Sequence, residues 1–82
     1  MIIRREIQVA AKVLNSIQND AGDHCVDIFR RDDGSFGFEE YRRDPEDGRG
    51  WFSLRHYAGL VFDTEESALA RAKATVAWLT RA

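Results

Sequence analysis

The residues of this sequence that could perform catalysis are few, and the most suggestive pair is His24 beside Cys25. An imidazole hydrogen-bonded to a thiol would activate it as a nucleophile. The apolar residues around this pair alternate with a period of two, which predicts a strand, and consecutive strand residues point to opposite faces of a sheet. We therefore expect no thiol–imidazole pair, and we expect Cys25 to be a small packing residue.

Metal and phosphate sites are also not predicted. The acidic and sulfur-bearing residues near His24 lack the spacing of zinc or calcium ligands. Residues 31–35 begin like a calcium-binding loop, but they lack its alternating oxygen ligands and its terminal glutamate, so we interpret them as a turn. The glycines of a phosphate-binding loop directly precede a helix. Gly34 lies in this turn and Gly37 follows it, and neither precedes a predicted helix. No cofactor is expected.

General acid–base chemistry is not indicated either. Glu39 and Glu40 are consecutive on a predicted strand, so their carboxylates diverge. His56 is expected on the buried face of a strand, where histidines mostly serve packing. The sequence thus predicts no catalytic residue, and we expect the chain not to be an enzyme.

Composition limits the class of protein. The 82 residues allow one domain, and 12 basic against 14 acidic residues give a formal charge of −2, without the basic stripe typical of nucleic-acid binding. Ten of the 12 cations are arginine, the better residue for pairing with carboxylates at interfaces. A single cysteine, with no signal peptide or membrane span indicated, predicts a cytoplasmic and, from the small size and the arginine bias, bacterial protein.

Hydrophobic periodicity predicts an α+β domain with the order α-β-β-β-α. The first segment carries apolar residues at steps of three and four, which predicts an amphipathic helix over residues 3–19. Strands are expected at 24–30, 35–42 and 51–57, with a hairpin turn at Asp33-Gly34 and a charged loop at 43–50. The last helix is expected over 64–81, with Asp63 as its N-cap and Glu66 completing a capping box.

Strand alternation divides the expected three-stranded antiparallel sheet into two faces. One face is apolar and is expected to form the core beneath the C-terminal helix; it comprises Val26, Ile28, Phe36, Phe38, Phe52 and Leu54. The opposite face mixes aromatic and charged residues, as interface centres do. With Trp78 of the helix it gives a candidate interaction surface: Phe29, Tyr41, Trp51, Arg55, Tyr57 and Trp78. A solvated face with cross-strand aromatic pairs is the alternative.

The predicted element order resembles that of the double-stranded-RNA-binding domain, and the Ala-rich last helix, entered through residues 59–68, is similar to the helix of that family. In that family the start of this helix carries lysines that bind phosphates, whereas this sequence has Asp63, Glu65 and Glu66 there. The three strands and the last helix also resemble plant-type and integrase-arm DNA-binding modules, whose sheet reads the groove. These resemblances imply a fold and not a function.

The leading hypothesis from the sequence is a non-enzymatic protein–protein interaction or structural module that acts as a homodimer. Its first helix is expected to pack either within its own chain or on a partner subunit, and the aromatic sheet face is a second candidate for the dimer interface. The alternative is a nucleic-acid-binding module that uses the aromatic and arginine residues of the sheet. The charge balance and the acidic helix entry favour the first hypothesis.

Overall fold

A computed structural model describes residues 11–44, 46 and 48–81 of the chain. Its elements are four strands, β1 (Ala11–Gln18), β2 (His24–Arg31), β3 (Phe36–Arg42) and β4 (Phe52–Ser53), then a helix, α1 (Glu65–Thr75), and a 3₁₀ turn (Leu79–Arg81). The described part of the chain is thus a small α+β domain with one antiparallel sheet and one C-terminal helix. Within it, no helix is both long enough and apolar enough to cross a membrane.

The sheet follows the order of the chain, β1-β2-β3-β4, and every described pairing is antiparallel. The turn between β2 and β3 lies at the predicted Asp33-Gly34 position. Arg31 N donates to Ser35 O, and Gly34 adopts a φ of +90°, which a residue with a side chain adopts only with strain. The predicted hairpin is therefore confirmed.

The predicted N-terminal helix is wrong over residues 11–18, which form β1; residues 3–10 of that helix lie outside the described residues. β1 pairs with β2 along its length, with Val13 opposite Phe29 and Ile17 opposite Val26. A β-bulge between Val13 and Asn15 inserts Leu14 into the strand. Because of the bulge, Val13 and Ile17 lie on opposite faces of the sheet. The apolar residues of the strand therefore depart from a period of two, and the step of three from Leu14 to Ile17 imitates a helical spacing.

The core lies between the sheet and α1, as the apolar strand face predicts. Buried strand residues Val26, Ile28 and Phe38 contact the small residues Ala68 and Ala72 of α1, and Val76 and Leu79 complete the cluster beyond the helix. Phe36 packs against its edge. Phe52, however, is 45% exposed, so its assignment to the core is wrong.

The predicted third strand is also too long, because only Phe52–Ser53 pairs with β3. Arg55 adopts a φ of 58°, which turns the chain away from the sheet edge. The chain returns at Phe62, whose backbone exchanges two hydrogen bonds with Phe36. Residues 54–61 therefore form a loop along the β3 edge, and His56 is exposed there and is not on the core face.

The C-terminal helix begins one residue later than predicted, and it ends earlier. Thr64 is the N-cap: its Oγ1 accepts a hydrogen bond of 3.0 Å from Ser67 N, so Asp63 does not have that role. Val76 has extended backbone angles and ends the helix, although its N–H still donates to Ala72 O. The chain then closes over the core with the 3₁₀ turn.

Candidate binding site

The carboxylate of Glu39 is buried and organises the loop after β4. Its Oε1 accepts hydrogen bonds from Tyr57 N at 3.0 Å and Ala58 N at 2.8 Å. Its Oε2 accepts from its neighbour Glu40 N at 2.8 Å and from His56 N at 3.2 Å. Consecutive backbone N–H groups that converge in this way form an anion-binding nest. Here the nest is filled by the protein's own side chain, so Glu39 has a structural role.

Arg31 fixes the other side of the same loop. Its guanidinium donates to the carbonyl oxygens of Ala58 at 2.6 Å and Leu60 at 3.0 Å, and also to Phe36 O. It also lies 5.0 Å from the centre of the Phe29 ring. These contacts use the planar, multidentate geometry of arginine to satisfy loop carbonyls.

Glu40 organises a second polar cluster, beneath the C-terminal end of the helix. Its Oε2 accepts a hydrogen bond of 2.8 Å from Trp78 Nε1 and lies 3.0 Å from His24 Nδ1. The indole and imidazole rings are 6.4 Å apart. This cluster joins β2, β3 and the C-terminal segment. The Glu40 carboxylate thus holds Trp78 in place.

On the opposite face of the sheet, Asp27 is buried and links β1 to β2. Its Oδ1 accepts a hydrogen bond of 2.7 Å from Ser16 Oγ and lies 3.9 Å from Cys25 Sγ. Cys25 is buried, in agreement with the packing role predicted for it. The most buried carboxylates of the described chain therefore stabilise the fold.

The fold changes the acidity of the Tyr57 phenol. Its ring stacks on Phe38 with 4.9 Å between ring centres, and it packs against the core cluster. Burial raises the pKa of Tyr57 above its usual value, and the negative charges of Glu40 and Glu39 raise this pKa further. The Tyr57 phenol therefore stays protonated near neutral pH.

An open pocket among the described residues lies at the end of β3 and is a candidate ligand site. It has a volume of about 380 Å³ and is lined by Arg42, Arg43, Asp44, Arg49, Phe52 and Leu54. We call it the arginine pocket. Three guanidinium groups against one carboxylate give its lining a positive formal charge, although the whole chain carries −2. The exposed ring of Phe52 provides an apolar contact surface.

Arginine–aromatic contacts shape this pocket. The Arg43 guanidinium lies 4.7 Å from the centre of the Trp51 ring, and Arg43 Nε donates 2.8 Å to Gly22 O of the β1–β2 turn. The Arg49 guanidinium lies 5.9 Å from the Phe52 ring centre. Stacking of this kind orients a guanidinium while it leaves some of its N–H groups directed sideways. Arg43 is thus held by Trp51 and Gly22, whereas Arg42 and Arg49 are exposed at the rim.

The six residues of the predicted interaction surface do not form one surface. Phe29 and Tyr41 are buried in the sheet, whereas Tyr57 packs on the helix side and Trp78 packs against the core and Glu40. Arg55 is exposed in the loop at its positive φ. Trp51 is the member that contacts the arginine pocket, through Arg43.

The residues that sequence reasoning missed are Arg42, Arg43, Arg49 and Phe52. Two signals pointed to them: the strong bias to arginine, and the concentration of arginines on both sides of the 43–50 loop. The alternation rule assigned Phe52 to the core because β4 was expected to continue. Since β4 ends after two residues, Phe52 lies at the rim of the pocket.

Within the described residues, no group of three His, Cys, Asp or Glu side chains is placed to hold a metal ion. Comparison with known proteins gives no match to a protein-family model, to a curated protein or to a solved structure. The functional argument therefore depends on the geometry of this chain.

Proposed function

We propose that this chain is a non-enzymatic interaction module that binds an acidic protein segment in the arginine pocket. The observation that carries the proposal is the cluster of exposed Arg42 and Arg49 and half-buried Arg43 around a pocket of about 380 Å³ in a chain of net negative charge. Arginine forks pair with carboxylates through parallel, charge-assisted hydrogen bonds.

The structural role of the buried carboxylates favours binding over catalysis. The carboxylates of Glu39 and Glu40 accept hydrogen bonds from backbone and indole N–H groups, which occupies them structurally. The pocket lining contains one carboxylate, that of Asp44, and this residue is exposed. Such a lining can hold an anion but supplies no paired acid and base.

A protein ligand suits the shape and the mixed character of the pocket. Phe52 and Leu54 offer apolar contacts beside the guanidinium groups, so a carboxylate side chain and its aliphatic stem would both be accommodated. The acidic residues Asp44 and Glu46 lie in the same loop. They would repel the continuous phosphate backbone of a nucleic acid more than a peptide with separated carboxylates.

The test is a binding titration with a labelled glutamate-rich peptide as the probe, at low and at physiological salt. We expect binding that weakens with salt and that falls at least tenfold in the double variant Arg42→Gln/Arg49→Gln. Arg71→Gln, an exposed arginine of α1, is the matched control and is expected to bind as the wild type does. Equal binding by the double variant and the control would overturn the proposal.

Single-stranded nucleic acid is the second candidate, and the stacked Arg43–Trp51 pair favours it, because aromatic and guanidinium planes also stack on bases. The same titration with a labelled oligonucleotide decides between the two. Tighter binding of the oligonucleotide than of the peptide, with a steep dependence on salt, would replace the first candidate by the second.

A further inference from the structure

We propose that the acidic segment bound by the arginine pocket belongs to a second copy of this chain, namely its helix entry, Val61–Glu66. Two copies would then lie antiparallel and exchange two identical contacts. This inference depends on the proposed function, because it names the partner of the same pocket.

The helix entry complements the pocket in charge. Asp63, Glu65 and Glu66 are all exposed at the start of α1, and the sequence has no basic residue between positions 63 and 70. The pocket lining has the opposite excess, with three arginines against one aspartate. Complementary charges of this kind direct association and fix the orientation of the partners.

The two surfaces also match in their apolar part. Val61, two residues before Asp63, is 68% exposed and is the most exposed large apolar side chain of the described chain. Phe52, at the pocket, is 45% exposed. Each surface thus places one exposed apolar side chain beside a cluster of charges. Contact between Val61 and Phe52 of opposite copies would remove both from water.

The positions of the two surfaces prevent a contact within one chain. The helix entry includes Phe62, which is bridged to Phe36 at the start of β3. The pocket lies at the other end of β3, where Arg42 pairs with Phe52. The seven residues of β3 separate these ends by roughly 20 Å at the usual rise of a strand.

The pocket and the helix entry lie at opposite ends of β3, and this placement allows a two-fold contact between two copies. When two copies align antiparallel, the pocket of each faces the helix entry of the other, so both contacts form at once and the assembly closes as a dimer. A parallel arrangement would bring like charges together. The geometry therefore favours a closed dimer with two equivalent charge contacts.

The experiment exchanges charges between the two surfaces. One variant carries Arg42→Glu and Arg49→Glu, and the other carries Glu65→Arg and Glu66→Arg; circular dichroism first confirms that each is folded. Light scattering is then measured over a range of micromolar concentrations at low salt. We expect the wild type and the control Arg71→Glu to reach twice the chain mass of 9.4 kDa, and each charge variant alone to remain at the chain mass.

The decisive step is an equimolar mixture of the two variants. In the mixed pair both contacts join opposite charges, so we expect the mixture to recover the dimer mass. A mixture that stays monomeric would overturn the inference, and so would a wild-type dimer that survives both sets of substitutions. A monomeric wild type that binds the glutamate-rich peptide refutes the dimer and leaves the proposed function standing, whereas a monomer that binds no peptide refutes both.

Discussion

A buried carboxylate needs hydrogen-bond donors in place of the water that would otherwise solvate it. At Glu39, four backbone N–H groups are these donors. Three of these groups belong to the loop that follows β4. The same residue that is satisfied by the loop therefore also holds the loop in place. This reciprocity makes Glu39 the residue on which the conformation of residues 56–58 depends most.

For Glu39→Gln we expect a loss of about 2–4 kcal/mol in the free energy of unfolding, because the new amide group would face N–H donors and leave them without an acceptor. Urea denaturation measures this loss. Glu46→Gln changes the charge equally at an exposed position and is expected to stay within about 0.5 kcal/mol of the wild type. Equal effects at the two positions would contradict the structural role of Glu39.

The raised pKa of Tyr57 predicts a dependence of stability on alkaline pH. The folded state favours the neutral phenol, so its contribution is complete below the usual value of 10.0 and is lost as the pH rises through the higher folded pKa. The difference in ultraviolet absorbance between the wild type and Tyr57→Phe isolates this ionisation. We expect its midpoint above 10.0, and a midpoint at or below that value would contradict the burial of the ring.

At the scale of elements, β1 shows how one inserted residue changes the pattern of a segment. Asn15 and Ile17 lie on the same face of the sheet, but the bulge at Leu14 places Val13 on the other face, so the apolar residues of β1 do not follow a period of two. A bulge leaves no reliable sequence signal, and pairing with β2 decides the outcome over local preference. The two interpretations of this segment differ in which apolar side chains they bury.

We therefore expect Ile17→Ala to lower the free energy of unfolding by about 2 kcal/mol, because Ile17 packs against the core cluster. Leu14→Ala is the matched control. Leu14 is 37% exposed, and its replacement is expected to cost under about 1 kcal/mol. Thermal or urea unfolding compares the two. Equal, large losses would indicate the helical seam that the sequence predicts and would contradict the strand.

The start of α1 provides a second comparison of this kind. Thr64→Ala removes the acceptor for Ser67 N and is expected to cost about 1 kcal/mol, within the range of N-cap substitutions. Asp63→Ala is expected to cost less, because Asp63 lies outside the cap and contributes only to the favourable charge at the helix start. Urea denaturation of both variants gives the order, and the reverse order would restore the predicted cap at Asp63.

At the scale of the whole molecule, much of the fold follows from the sequence and the binding site follows only in part. Val26, Ile28 and Phe38 alternate without interruption, so the strands at 24–31 and 36–42, the hairpin between them and the face beneath α1 are predictable. The end of β4 is not, since it depends on how Glu39 draws residues 56–58 towards itself. Phe52, which precedes this end of the strand, is exposed and lines the arginine pocket.

The distribution of charge follows from the same contacts. Glu39 and Glu40 are buried, and the Arg31 guanidinium donates hydrogen bonds to carbonyl oxygens of the loop. Arg42 and Arg49 remain exposed at one end of β3, and the acidic helix entry remains exposed near the other. The net charge of −2 does not show this separation, because it counts the buried charged residues together with the exposed ones.

The central claim is that the arginine pocket binds carboxylates, and heteronuclear NMR during a titration with the glutamate-rich peptide tests it most directly. We expect the largest shifts at the backbone amides of residues 42–44, 49, 52 and 54 and at the indole of Trp51, with little change in β1. High salt should reverse these shifts. Shifts centred on β1 or the outer face of α1, or none at the pocket, would contradict the account.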